Sequence, residues 1–248
     1  MRMRKKEWAR PELAACPYYV KEPSAMRGQW RSFFKKDQPI FLDLGCGKCE
    51  FLRKAAHRHP EVNFIGIDQS DDVLGVGRRL IEETYGQAPV DNIALFAGNI
   101  EQLARFFDPE KEKCARIYIN FCNPWPKARH HKRRLTHPQQ LEKYRDLLEE
   151  KGEIWFKTDN DDLFLATLRY MKEAGFAVYR STRDLHGEND PENAWSEHEI
   201  LFSRQGIPIK ALKARMAERP AKEPADASPA EEASPAEETS PAEREEEE

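Results

Sequence analysis

Three short runs constrain the fold of this chain more than anything else in it. PIFLDL (39–44), VNFIGID (62–68) and ARIYINF (115–121) are apolar nearly throughout. A strand with one wet face alternates apolar and polar residues, whereas a strand without alternation is covered on both faces. Helical patterns follow the first two runs, over 48–58 (stopping before Pro60) and 71–85. NIALFAG (92–98) reads as a third strand with a short helix over 100–107, which makes ARIYINF the fourth. Leu141, Tyr144, Leu147 and Leu148 place a helix over 137–150. GEIWFKTD (152–159) is a fifth strand, and LFLATLRYMKEAG closes a fifth helix at Gly175. FAVYRSTRDL (176–185) and HEILFSRQG (198–206) read as two final strands with no clear helix between them, which suits an antiparallel edge. Strand–helix alternation of this kind predicts a doubly wound α/β fold with a mostly parallel seven-stranded sheet.

The charge of the chain is unevenly divided. The 248 residues hold 40 Lys/Arg and 44 Asp/Glu, for a net −4. Residues 217–248 alone contain 12 acids and 3 bases, so residues 1–216 carry 37 bases and 32 acids, a net +5. A basic body is compatible with a polyanionic partner. The acidic end repeats SPAEE at Ser228–Glu232 and Ser234–Glu238, then SPAER at Ser240–Arg244. Beyond Met216 it has no aromatic residue and no β-branched residue but Thr239. Such a segment buries too little apolar area to offset its ordering entropy and is expected to be disordered. Its charge makes it a candidate competitor for the basic surface at low salt. The expected organisation is one domain over 1–216, basic segment 1–36 included, and a tail over 217–248.

Other classes are disfavoured. No stretch approaches the roughly 18 apolar residues that span a bilayer, so no membrane partner is expected. MRMRKKEWARPEL is basic but lacks the apolar core of a signal peptide. Five cysteines, an odd number in a long chain, suit reduced thiols and a cytoplasmic location. Cys46 and Cys49 form a CxxC, but there is no second one, so no metal is expected.

Ligands of open α/β sheets bind at the carboxyl ends of the strands. The first strand ends at Asp43-Leu44-Gly45-Cys46-Gly47-Lys48, where glycines let the backbone approach a ligand. The second ends at Asp68, placed to accept from ribose hydroxyls. These features alone suit either a nicotinamide dinucleotide or S-adenosylmethionine, or a tight turn without a ligand. A dinucleotide fingerprint needs a third glycine where Glu50 stands.

The fourth strand leads into NFCNPWPKARHHKRRLTHP (120–138), with five Lys/Arg and two His between Lys127 and Arg134 and no acid. Asn123-Pro124-Trp125-Pro126 precedes them, with rigid prolines and an aromatic stacking face. Lysines and arginines there suit phosphates. Asp159 and the Ser196-Glu197-His198-Glu199 segment bring acids to the same edge. A carboxylate accepts from both guanine N1–H and the exocyclic amine. Asp159 equally suits a helix N-cap. Glu197 and Glu199 equally suit an exposed strand face, where equal parity points both to one side.

These residues converge on a family. MRMRKKEWA, FLDLGCGK, FIGID, INFCNPWPKARHHKRRL, FKTDN and SEHEILFSRQGIPI together resemble the bacterial tRNA (guanine-N7)-methyltransferases, the TrmB family. The resemblance covers nearly all of 1–216. It implies a class I S-adenosylmethionine-dependent methyltransferase fold and methyl transfer to a guanosine in the tRNA variable loop, leaving S-adenosylhomocysteine. The implied cofactor contacts are Asp43, Asp68, Asn99 and Asn123, with Gly45 and Gly47 in the loop. The implied substrate contacts are Lys127, Asp159 and Ser196 through Glu199. Arg129, Lys132, Arg133 and Arg134 are expected on the tRNA backbone.

Three positions depart from the family pattern. Cys49 replaces a usual third glycine, Asn123 replaces an Asp, and Ser196-Glu-His-Glu199 replaces TEYE. Guanine N7 carries a lone pair and no proton, so no general base is required and Asn123 is expected to position rather than deprotonate. A dehydrogenase, a small-molecule methyltransferase and a non-catalytic tRNA-binding protein are the competing readings. The sequence leaves monomer and homodimer open.

Overall fold

The computed structural model describes residues 5–217; the acidic tail from residue 218 on, with its expected disorder, and Met1–Arg4 lie outside the described residues. In chain order the elements are α1 (Ala9–Ala15), α2 (Trp30–Phe33), β1 (Ile40–Leu44), α3 (Glu50–Arg58), β2 (Asn63–Asp68), α4 (Asp71–Tyr85) and β3 (Ile93–Ala97). There follow β4 (Cys114–Asn120), α5 (Pro138–Leu147), β5 (Leu148–Thr158), α6 (Asp161–Glu173), β6 (Phe176–Thr182), α7 (Glu197–Ser203) and β7 (Lys210–Met216). Short 3-10 turns occupy Pro23–Met26, Ile100–Arg105 and Ala128–Arg133.

The apolar runs form the centre of one sheet, ordered β3-β2-β1-β4-β5-β7-β6. β1 to β5 are mutually parallel, and β7 runs antiparallel to both β5 and β6. Side chains alternate between two cores. Leu42, Leu44, Ile65, Ile67 and Phe96 pack with Trp30, Leu141, Tyr144 and Leu163 on one face. Phe64, Leu95 and Tyr118 pack with Leu13, Phe51, Leu52, Leu74 and Ile81 on the other. Trp30 is fully buried and donates from Nε1 to the carbonyl of Phe106 (2.8 Å), which ties the N-terminal segment under the sheet.

The segment expected to be the seventh strand is not one. Residues 197–203 form helix α7, because Ser196 and Glu199 make a capping box: Ser196 Oγ accepts from Glu199 N–H (3.2 Å) and Glu199 Oε2 accepts from Ser196 N–H (2.8 Å). The parity argument for Glu197 and Glu199 therefore fails, since on a helix they do not share a side. The seventh strand is KALKARM, inserted between β5 and β6, which leaves β6 as the edge. Its pattern is masked by lysines. Lys213 lays its ammonium over the Trp155 ring at 3.5 Å and pairs with Asp190 and Glu192 (3.0 and 2.8 Å). Lys210 reaches the carbonyl of Asp159 and the carboxylate of Asp161, both at 2.9 Å. Buried stems with satisfied ends let polar residues occupy a sheet interior.

Candidate active site

The order of the parallel strands reverses between β1 and β4, and ligand crevices open at such a point, outside the carboxyl ends. A cleft of about 750 Å³ lies there. Asp43, the Gly45–Lys48 loop, Asp68, Asn120, Phe121, Ser196, Glu197 and His198 line it. α7 thus faces the loop after β1 from across the opening.

The loop after β1 is shaped for close approach. Gly45 and Gly47 have φ of 80° and 56°, and open space lies where a Cβ on Gly45 would project. Gly47 N–H donates to Asp68 Oδ2 (3.1 Å), and Ser70 N–H donates to Oδ1 (3.0 Å), which fixes the Asp68 carboxylate. Burial raises its pKa against these bonds. Cys49, where the family pattern has glycine, keeps the left-handed backbone (φ 58°) and is fully buried against α4. It is a packing residue, as is Cys46 beside it (Sγ–Sγ 3.9 Å).

Asp43 is 1% exposed. Its Oδ1 accepts from Asn120 Nδ2 (3.4 Å), while Oδ2 and the Asn120 Oδ1 are buried without a partner among the described residues. Burial pushes the Asp43 pKa up to about 7; Lys157 and the Asn120 bond act against this, and Asp68 adds to it. Two orphaned acceptors facing one cleft call for a donor or cation from a ligand, since leaving them unsatisfied is costly. Sequence reasoning did not single out Asn120, which stands three residues before Asn123. Nor did it single out Phe121, whose left-handed φ of 53° has no signature in a non-glycine residue and which stacks on His198 (5.3 Å between centroids, 15° between planes).

The other candidates occupy varied positions. Asn99 caps the turn after β3, accepting from Glu101 N–H (3.0 Å), and receives Gln69 Nε2 at 3.4 Å, one residue from Asp68. Asn123 is exposed and does not line the cleft; its Oδ1 accepts from Trp125 N–H (3.0 Å) and turns the Pro124–Pro126 loop. Asp159 ends at the carboxyl edge beyond β5 with no hydrogen-bond or ion-pair partner for its carboxylate among the described residues. The N-cap of α6 is Asn160, not Asp159.

Glu199 is fully buried and committed: Lys157 Nζ at 2.6 Å and Ser196 N–H on one oxygen, Asn193 Nδ2 at 2.9 Å and His186 Nε2 at 3.4 Å on the other. Burial works to raise its pKa, but Lys157 holds it below the usual carboxylate value. Expected on substrate, it instead anchors α7 from beneath. Glu197, two residues earlier, stays at the cleft and meets Lys48 Nζ at 2.6 Å.

The basic segment is a 3-10 turn that begins seven residues after Phe121, which lines the cleft at the end of β4. Lys127, Arg129, Lys132 and Arg133 are exposed. Arg133 lies 5.2 Å from the Trp125 ring centroid, and His130 meets the same ring edge-on. Arg134 differs from its expected place on tRNA phosphates: it is 4% exposed and donates from Nε to the Pro124 carbonyl (2.7 Å), so it holds the loop together.

A family model described as "Putative methyltransferase" matches residues 37–212. The tRNA (guanine-N(7)-)-methyltransferase of Clostridium beijerinckii is 49% identical over 216 residues, 86% of this chain and 98% of that protein. This chain belongs to the tRNA (guanine-N(7)-)-methyltransferase family. The Clostridium perfringens (strain SM101) enzyme is 50% identical, over 87% of this chain and 99% of its own. The fold is shared more widely: a 16S rRNA methyltransferase, KamB, superposes with a TM-score of 0.52 at 11% identity, over 87% of this chain and 96% of its own.

The chain is therefore an enzyme, and S-adenosylmethionine is its methyl donor. The residues fit that donor. The orphaned Asp43 and Asn120 oxygens suit its ammonium, the fixed Asp68 carboxylate has lone pairs left for ribose hydroxyls, and the open Gly45 flank admits its methionine part. No helix among the described residues is long and apolar enough to cross a membrane.

Proposed function

We propose that this chain methylates N7 of a guanosine in the variable loop of tRNA, working in the cytoplasm, and that it does so by positioning and electrostatics. The observation that carries this reading is that Asp43, Asp68 and Glu197 line one cleft, and that the chain leaving its Asn120–Phe121 wall runs on into the exposed cations of 127–133. Lys127, Arg129, Lys132 and Arg133 hold tRNA phosphates and bring the loop to the cleft. Glu197 and Asp159 accept from the N1–H and exocyclic amine of guanine, which selects guanine over adenine. Ser196 and His198 flank Glu197 at the same mouth.

The in-plane lone pair of N7 attacks the methyl carbon that S-adenosylmethionine supplies; the N–C bond forms as the C–S bond breaks, and the neutral thioether S-adenosylhomocysteine leaves, with no proton to remove beforehand. Alignment of nucleophile and methyl supplies most of the acceleration. Positive charge arrives on the purine, where the carboxylates of Asp159 and Glu197 stabilise it. Asn123 acts by fixing the Asn-Pro-Trp-Pro turn, with its Nδ2 left as a donor. An Asp is not needed there for that task.

Incubating the purified full-length protein with tritiated S-adenosylmethionine and unmodified tRNA, followed by nuclease mapping, tests the proposal. The expected product is labelled N7-methylguanosine at one variable-loop position. Absence of product above a no-enzyme control, or label elsewhere, would refute it.

A further inference from the structure

Lys48 is the one lysine or arginine lining the cleft among the described residues; the other charged groups there are the acids Asp43, Glu50, Asp68 and Glu197. The donor brings two cationic groups and one carboxylate. The cations have acidic neighbours in plenty, while the carboxylate has only Lys48 to pair with, in the loop after β1 where the methionine part enters. Yet Lys48 Nζ is bound to Glu197 Oε1 at 2.6 Å, across the mouth from β1 to α7. Glu197 is the acceptor assigned above to guanine. One ammonium thus stands between two carboxylates with different duties.

We propose that Lys48 is a cofactor-binding residue that couples the two substrates: it leaves Glu197 for the methionine carboxylate, and Glu197 is thereby freed to accept guanine. This rests on the donor and guanosine reading given above. The pair is built to exchange. Its side chains are 34% and 51% exposed, and exposed pairs are weak enough to be traded for another carboxylate. The anchor of α7 lies elsewhere, in Glu199 and Lys157, so opening the Lys48–Glu197 contact does not unseat the helix. Cooperative binding follows: guanine meets a neutralised Glu197 before the cofactor arrives and a free one after it.

The test is a set of binding titrations with S-adenosylhomocysteine, which keeps the carboxylate but transfers nothing, and with an unmodified tRNA transcript. Lys48→Met is expected to weaken S-adenosylhomocysteine about tenfold, the scale of one charge-assisted hydrogen bond, and Lys48→Arg to recover most of that. Glu197→Gln is expected to tighten it by about two- to threefold, because Lys48 no longer has to be released. In the unaltered protein, saturating S-adenosylhomocysteine is expected to tighten tRNA by a similar factor, and saturating tRNA must then tighten S-adenosylhomocysteine equally, as reciprocity of linked binding requires; in Lys48→Met that gain disappears. Unchanged S-adenosylhomocysteine affinity in Lys48→Met, or weaker affinity in Glu197→Gln, would overturn the inference while leaving the methylation reading intact. Failure of the unaltered protein to bind S-adenosylhomocysteine at all would overturn both.

Discussion

Lys157 Nζ and Glu199 Oε2 meet at 2.6 Å beneath the cleft, with Glu199 wholly out of solvent and Lys157 nearly so. Lys157 also donates to Asn193 Oδ1 (2.9 Å) and to the Ala194 carbonyl (3.1 Å), so one ammonium fastens both the loop before α7 and the helix cap to β5. Removing one partner strands a buried charge. Lys157→Met is expected to destabilise the protein by about 3–5 kcal/mol. Pairing it with Glu199→Leu should cost clearly less than the two single changes summed, because the double variant leaves neither charge alone. Urea unfolding of the three variants measures this.

Asp43 is expected to govern how the cleft responds to pH. Its pKa of about 7 exceeds the ordinary carboxylate value, so the folded state keeps this proton longer than the unfolded chain does. Stability from this group is full below about pH 4 and is lost as pH rises through 7. Without ligand, Asp43→Asn is expected to be more stable than the unaltered protein at pH 8, by on the order of a few kcal/mol, and nearly equal to it at low pH. Cofactor affinity runs the other way, since the ammonium needs the ionised form. S-Adenosylhomocysteine should bind more weakly as pH falls below 7 in the unaltered protein and with little pH dependence in Asp43→Asn. Calorimetric titrations across pH 5.5–8.5 (a span of about three units around that pKa) compare the two.

Within the basic segment, adjacent arginines have different work. Arg133→Ala is expected to weaken tRNA binding and to lower the salt slope of log K by roughly 0.7–0.9, with stability unchanged. Arg134→Ala releases the Pro124 carbonyl and is expected to cost about 1–3 kcal/mol of stability. Filter binding over a salt series, beside thermal unfolding, separates the two.

The cofactor loop is braced from behind by helix α4. A Cβ on Gly77 would stand 2.6 Å from Cys49 Sγ. Gly77→Ala is expected to be destabilising by about 1–2 kcal/mol, the overpacking outweighing the better helix propensity of alanine. It should also loosen S-adenosylhomocysteine binding, because Cys49 carries the loop that holds Gly45 and Gly47. Thermal melts with and without S-adenosylhomocysteine read both effects.

The sequence by itself determined the layered architecture and the edge on which chemistry occurs. Unbroken apolar runs at 39–44, 62–68 and 115–121 are stable only between two helical layers, and Asp43, Asp68 and the 123–134 loop stand at their carboxyl ends for any such sheet. Periodicity placed α4 from Asp71 to Tyr85, where helix and pattern agree. It misplaced the end of the chain. Alternation in Ser196–Glu199 was equally a capping box, and the side-chain-to-backbone bonds of that box decide for a helix. The true last strand hid its pattern behind Lys210 and Lys213, whose buried ends find acids distant in sequence. Only the tertiary structure decided which acids face the cleft. Glu197 and Glu199 are indistinguishable as letters, but burial of Lys157 draws Glu199 inward, since a buried ammonium requires a partner. Asn120 and Lys48 likewise take their roles from partners far away in sequence, Asp43 and Glu197, whereas Asn123 and Arg134 are committed within their own loop, to Trp125 N–H and to the Pro124 carbonyl.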